Sequence, residues 1–292
     1  MNQFVFALIK TIITITVRIP WLIIFLEKMA MILVEYVFRY RKKIIESNLK
    51  RSFPELPEKE IHAIKHKYYK CMVRYIRESF QIGFGSEERI KKHIRVLDYK
   101  NGALYPDGST ASILMASHYG NWEIVSLLPL LFPKQTFIAF YKPVQNKLSA
   151  EIAKHIRCRF GLQIYPIKQT ARVMAENAGK PYCYLFVGDQ SPFNMKGVYR
   201  NIFLRQNTPW MTGAERLAVK YSIPVMYMQI NPADVYFGGP AYNLHIETIA
   251  ETPVELSGGY ITETYTRLLE RQITDKPEYW LWSHKRWKRA DQ

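Results

Sequence analysis

The residues best placed to do chemistry in this 292-residue chain lie in the run Ser112-Ile-Leu-Met-Ala-Ser-His-Tyr-Gly-Asn-Trp-Glu123. Its first half is apolar and reads as a buried strand ending at His118. Asn121 is a good helix N-cap, and Gly120 permits a tight turn between the two elements. Strand-end loops of α/β sheets are where ligands collect. The turn predicts that Glu123, in the first helical turn, comes back towards the His118 ring. A carboxylate on one imidazole nitrogen fixes the tautomer and leaves the other free to take a proton near neutral pH. That is a general base for an alcohol. Backbone amides around Gly120 to Trp122 are candidates to stabilise an oxyanion. No Gly-x-Ser-x-Gly elbow of a serine hydrolase occurs.

Other residues follow strand patterns in the same way. Asp189 comes directly after the apolar run Tyr182 to Val187 and is expected at the same sheet edge as His118, binding an acceptor or organising the site. Lys142 follows the run Thr136 to Tyr141, and Lys142 and Arg172 are candidates for contacts to substrate phosphates, against a solvated basic face. His62 and His66 stand one helical turn apart, a metal-compatible spacing. No carboxylate or third histidine completes an HExxH-type pattern, and the solvated-face reading is favoured. Cys71, Cys158 and Cys183 show no CxxC or Cys/His spacing and read as reduced thiols in a cytoplasm-like compartment.

The elements that must position these groups form an alternating pattern. Strands are expected at Ser112–Ala116, Thr136–Tyr141, Gln163–Ile167, Tyr182–Val187 and Pro224–Ile230, with a last one at Glu247–Thr252. Helices are expected near Asn121–Leu131, Lys147–Phe160, Ala171–Asn177, Gly213–Tyr221 and Gly259–Ile273. This predicts an α/β domain over 101–292, opened by the turn Tyr105-Pro-Asp-Gly108. Residues 41–100 read as a basic helical segment, and residues 1–40 as an amino-terminal membrane helix. Lys10, Arg18, Glu27, Lys28 and Glu35 interrupt that apolar stretch before any charge-free run reaches the roughly 18 residues of a spanning helix. A helix lying on the membrane, one embedded in it and a buried core helix therefore all fit. The cluster Arg39, Arg41, Lys42, Lys43 behind it suggests a cytoplasmic domain.

Composition bounds the function. The chain is 48% hydrophobic and 23% charged, which excludes disorder and a many-pass transporter. Its 41 Lys and Arg against 25 Asp and Glu give a net charge of +16 and point to a polyanionic partner. Nucleic acid is disfavoured: no helix-turn-helix, zinc-finger or RNP-like motif occurs, and the apolar amino terminus would go unexplained.

Several blocks agree with one family in order. His118-Tyr-Gly-Asn-Trp-Glu123 resembles the His-x4-Asp/Glu signature of glycerolipid-type acyltransferases, and its wording resembles the branch that makes lipid A. Phe140-Tyr-Lys-Pro143 resembles that branch's Tyr-Arg-Pro block, and Gly188-Asp-Gln190 its Asp-Gln block. Phe203 to Ala218 resembles its segment leading into a helix, and Pro277 to Lys288 its aromatic and basic carboxy-terminal block. The resemblance to lipid A biosynthesis acyltransferases covers nearly the whole chain. It implies a mixed central sheet flanked by helices behind an amino-terminal membrane helix. It also implies transfer of a fatty acyl chain from acyl carrier protein to a hydroxyl of a phosphorylated glycolipid, a lipid A precursor. His118 would be the base and Glu123 its orienting partner, with no cofactor. The expected place is an anionic membrane surface, the cytoplasmic face of the inner membrane of a Gram-negative-type bacterium. Trp280, Trp282 and Trp287 with Lys285, Arg286, Lys288 and Arg289 are candidates for a lipid interface, or for an ordinary helix end. Two positions depart from the pattern: Lys142 replaces the usual Arg, and Ser117-His118-Tyr119 differs from better-known members. An amino-acid lipid, another glycolipid or a polyene pigment is therefore an alternative acceptor, and a non-catalytic membrane scaffold is the rival outside enzymes.

Overall fold

The computed structural model describes residues 7–9, 11–12, 19–97, 108–233, 241–255 and 258–290. Most of the expected turn at Tyr105 to Gly108 lies outside them. The strands are β1 (Ile94–Leu97), β2 (Ser112–Ala116), β3 (Thr136–Tyr141), β4 (Gln163–Pro166), β5 (Tyr182–Val187), β6 (Val198–Phe203), β7 (Gln206–Met211), β8 (Val225–Pro232) and β9 (Tyr242–Ala250). Among the described residues, seven of them make one sheet in the order β1-β9-β8-β2-β5-β3-β4, and β6 and β7 form a separate hairpin. Strands β8, β2, β5, β3 and β4 run parallel; β9 pairs antiparallel with β8 and parallel with β1. The fold is thus mixed α/β with a central sheet flanked by helices, as expected.

β2 lies between β5 and β8 and is buried at every position, which is why it reads as a continuous apolar run. Its side chains still alternate: Ile113 and Met115 join one core layer with Tyr184, Val225 and Tyr227, while Leu114 and Ala116 join the other with Leu185 and Met226. The helices α1 (Pro20–Ile32), α2 (Lys42–Ser52), α3 (Glu58–Phe84), α4 (Glu87–Lys92), α5 (Leu128–Leu131), α6 (Lys147–Cys158), α7 (Thr170–Glu176), α8 (Gly213–Tyr221) and α9 (Tyr260–Asp275) cover the two faces. α3 is the longest of these. It starts after Pro57, carries Glu58 and Glu60 in its first turn where the helix dipole favours anions, and buries Ile61, Tyr68, Tyr69, Val73 and Ile82.

Three expectations change. First, no described helix is long and apolar enough to cross a membrane. Instead, α1 continues as a π-helical turn over Leu33–Val37 and is latched to α3. Glu27 pairs with Arg77 at 2.5 Å and buried Glu35 with His66 at 2.9 Å. Second, the tryptophans and Arg286 of the carboxy-terminal block do not face a lipid interface, while Lys285 and Lys288 are exposed. Trp280, Trp282 and Trp287 are buried, the last two each packed edge-on to Trp280, and the fully buried Arg286 guanidinium stacks over Trp210 at 4.3 Å. Third, β1 and the β6–β7 hairpin had no sequence forecast, so the basic segment over 41–100 supplies an edge strand as well as helices.

Candidate functional site

Register builds the site. Ala116 of β2 pairs with Val187 of β5, so residues two positions beyond each strand end, His118 and Asp189, emerge side by side at the carboxyl edge of the sheet. The ring Nδ1 of His118 lies 2.6 Å from Asp189 Oδ1. Asp189 Oδ2 accepts from the His118 backbone amide at 3.0 Å and from the Trp280 indole N–H at 2.8 Å. Gln190 points its side-chain amide at His118 Nε2, 3.1 Å away. An amide nitrogen only donates, so the network assigns the proton to Nδ1 and the lone pair to Nε2. This is the tautomer a base needs.

Asp189 is buried. Burial is the largest single influence on its carboxyl and pushes its pKa up. The His118 imidazole and the N–H groups of His118 and Trp280 together outweigh burial and hold it below the ordinary aspartate value. Ionised Asp189 therefore holds the imidazole in orientation, with Nδ1 and the His118 backbone amide both directed at its carboxylate.

Glu123, expected on the His118 ring, is elsewhere. Its carboxylate receives a bidentate fork from Arg157 of α6, at 2.9 and 2.6 Å. The cause is local: Trp122–Leu127 is a 3-10 helix capped by Asn121, which accepts from the Glu123 amide at 3.2 Å. The Glu123 side chain is thereby turned into the space between this helix and α6. The amides proposed for an oxyanion are also partly engaged, since Gly120 N–H bonds to Tyr279 O. Gly120 has φ +61°, and a Cβ there would stand 3.3 Å from the Ile230 carbonyl oxygen, so any other residue is strained and tightly packed at this turn.

Of the remaining candidates, Lys142 and Arg172 are exposed and neither has a hydrogen bond to the dyad; Arg172 lies 3.6 Å from Glu176 along its own helix. His62 and His66 pair with separate carboxylates, Glu58 and Glu35. The three cysteines are free thiols. Sequence reasoning gave no role to Gln190, to Trp280 as a donor to Asp189, or to Arg157. It also missed Glu78, whose carboxylate takes Arg74 at 2.6 Å and Tyr242 at 2.7 Å and reaches the Asn121 amide at 3.3 Å. The usable signal was the equal two-residue offset of His118 and Asp189 from neighbouring parallel strands.

The carboxy-terminal segment closes the site from one side. Leu281 N–H bonds to His118 O, and Tyr119 bridges to Trp280. A small, mostly apolar cleft opens beside Gly120 and Trp122, lined by Tyr68, Met72, Tyr75 and Leu281 together with Arg74 and Glu278. Trp122 stacks on Tyr75 at 4.0 Å and meets the His118 ring edge-on at 5.0 Å.

His284 accepts from the Ser191 amide through Nε2, and burial pushes its pKa down to about 4. The folded ring refuses a proton that the unfolded chain takes up below about pH 6.5. Stability from this group is therefore complete above that pH and is lost as pH falls towards 4, by about 3 kcal/mol. Thermal melts across this window should show the loss, and His284→Gln should flatten the slope. An unchanged slope in that variant would refute the assignment.

The arrangement is an imidazole held by a buried carboxylate, at the edge of an α/β sheet, with a mostly apolar cleft alongside. Comparison with curated proteins gives no significant match. Residues 3–289 match the family described as bacterial lipid A biosynthesis acyltransferase, nearly the entire length. The chain belongs to that family of acyltransferases.

Proposed function

We propose that the protein transfers a fatty acyl group from acyl carrier protein to a hydroxyl of a phosphorylated lipid A precursor, with His118 as general base and Asp189 as its positioning carboxylate. His118 Nε2 takes the hydroxyl proton as the oxygen attacks the thioester carbonyl. The tetrahedral intermediate then collapses, the carbon–sulfur bond breaks, and the imidazolium returns the proton to the departing thiolate. The products are an ester and the free carrier thiol. Family membership implies an acyl donor and a lipid acceptor. The observation that carries the reading further is the 2.6 Å His118–Asp189 contact, with Nε2 left as an acceptor. Gln190, already aimed at Nε2, is a candidate donor to the developing oxyanion.

The same reading places the enzyme on the cytoplasmic face of an inner membrane. What supports it is the outer side of α1 and the turn after it. Trp21, Phe25, Tyr36, Val37 and Phe38 are exposed there, beside exposed Arg39 and Lys43. This is the composition of a helix that lies in an anionic interface, not of one that spans it.

The test is transfer of a labelled acyl group from acyl carrier protein to a phosphorylated lipid A precursor in anionic vesicles, with the protein recovered in the floated vesicle fraction. Labelled precursor is the expected result. Label appearing only when total membrane lipid is supplied would keep the acyltransferase and discard this acceptor.

A further inference from the structure

We infer that the exposed basic segment after β3, with the first turn of α6 and the 3-10 turn Ile167–Gln169 after β4, is the docking surface for the acidic carrier protein that delivers the acyl group. This rests on the proposed function and adds the place where its donor binds.

Residues 142–149, Lys-Pro-Val-Gln-Asn-Lys-Leu-Ser, are exposed without interruption. They are nevertheless held in place: Asn146 caps α6 by accepting from the Ser149 amide at 2.9 Å. Lys142 and Lys147 carry the charge, Val144 and Leu148 are half exposed, and exposed Lys168 stands after β4. Among the described residues, none of these three lysines has an ion-pair partner. In contrast, exposed lysines elsewhere, such as Lys50, Lys91 and Lys92, are paired with glutamates.

The sheet puts this surface beside the dyad. β2, β5, β3 and β4 are parallel neighbours, so their carboxyl ends share one edge. The registers align Ala116 with Val187 and Tyr141 with Pro166, and Ala139 with Leu185. Lys142 and Lys168 therefore leave their strands within about one residue of the level at which His118 and Asp189 leave theirs. At about 4.8 Å per strand, the β3 and β4 ends lie roughly 10 and 15 Å from β2. A carrier seated there would present a thioester on a flexible arm to His118 without covering the dyad.

The chemistry fits an acidic protein better than a lipid surface. The segment has two small apolar contacts inside a basic rim and no exposed aromatic residue, while the exposed Trp, Phe and Tyr side chains that suit a membrane are concentrated around α1.

The experiment compares two donors, acyl carrier protein and the same acyl chain on free pantetheine, using wild type and Lys147→Glu/Lys168→Glu. The double variant is expected to raise KM for the acyl carrier about tenfold, with a weaker dependence on salt. Its KM for acyl-pantetheine and for the acceptor, and its flotation with phosphatidylglycerol vesicles, should match wild type. Equal KM values for the acyl carrier would overturn the inference. So would a parallel loss with both donors, which means an acceptor-phosphate contact, or a loss of flotation, which means a lipid contact. Failure of wild type to use either donor would instead overturn the acyl-transfer reading, and the docking surface with it.

Discussion

Replacing His118 with asparagine is expected to lower acyl transfer by about 10²- to 10⁴-fold while the KM for each substrate changes little. The expectation follows from the tautomer. Nδ1 is committed to Asp189 and Nε2 accepts from a side-chain amide that a substrate hydroxyl can displace, so the ring contributes its effect in the transition state. Asparagine keeps a polar group opposite Asp189 and so limits the cost of leaving a buried carboxylate oxygen unpaired, about 1 to 3 kcal/mol. Single-turnover kinetics beside a thermal melt separate the two effects. A variant that melts lower but transfers at the wild-type rate while folded would show that His118 is structural.

The centre of the sheet was legible in the sequence because β2 is buried on both faces and β5 has no exposed position. The runs Ile113–Ala116 and Tyr182–Val187 carry no charged residue and give way within two residues to polar ones, Ser117 and Asp189. The hairpin was not legible for a specific reason. Its two-residue turn is Leu204-Arg205, both at positive φ, where asparagine and glycine are the usual signal. The turn is held from outside: the Leu204 amide donates to Glu270 of α9, and the Leu204 side chain is buried. β1 has only four residues of alternating exposure at a sheet edge, too few for a pattern. β9 begins at Tyr242, earlier than expected, because its antiparallel pairing with β8 extends past the apolar residues that marked it.

The site was half legible for a related reason. Sequence proximity favoured Glu123 as the partner of His118, since the two are five residues apart. Proximity along a strand-turn-helix does not decide which way a carboxylate points. Arg157, 34 residues away on α6, supplies a planar fork that matches Glu123 with two hydrogen bonds. The carboxy-terminal aromatic block misled in the same way. Trp and Arg together read as a lipid interface, yet here Trp280 is the indole that holds Asp189 and Arg286 is enclosed beside Trp210.

Asp189 and Glu123 should consequently fail in different ways when each is converted to its amide. Asp189 accepts three N–H groups, two on one oxygen and one on the other. An asparagine that turns its NH₂ towards His118 Nδ1 forces the proton to Nε2, where the ring can no longer act as a base. Turned the other way, the NH₂ meets the Trp280 and His118 N–H groups head-on. Either orientation costs the tautomer or a buried hydrogen bond, so Asp189→Asn should lower kcat by about 10²- to 10⁴-fold. Glu123 bonds Arg157 and not the His118 ring. Glu123→Gln removes the charge facing a largely buried Arg157, and Arg157→Met leaves Glu123 without its partner; each should destabilise the fold by about 3 to 5 kcal/mol. The double variant should be less destabilised than the sum of the two, because both single changes break one interaction. Any activity lost through Glu123→Gln should then be lost equally through Arg157→Met, since both release the same start of the 3-10 helix beside Trp122. Each of these effects should add to that of Asp189→Asn. Loss of transfer in Glu123→Gln with full stability, while Arg157→Met remains active, would put Glu123 back on the imidazole and reverse the roles of the two carboxylates.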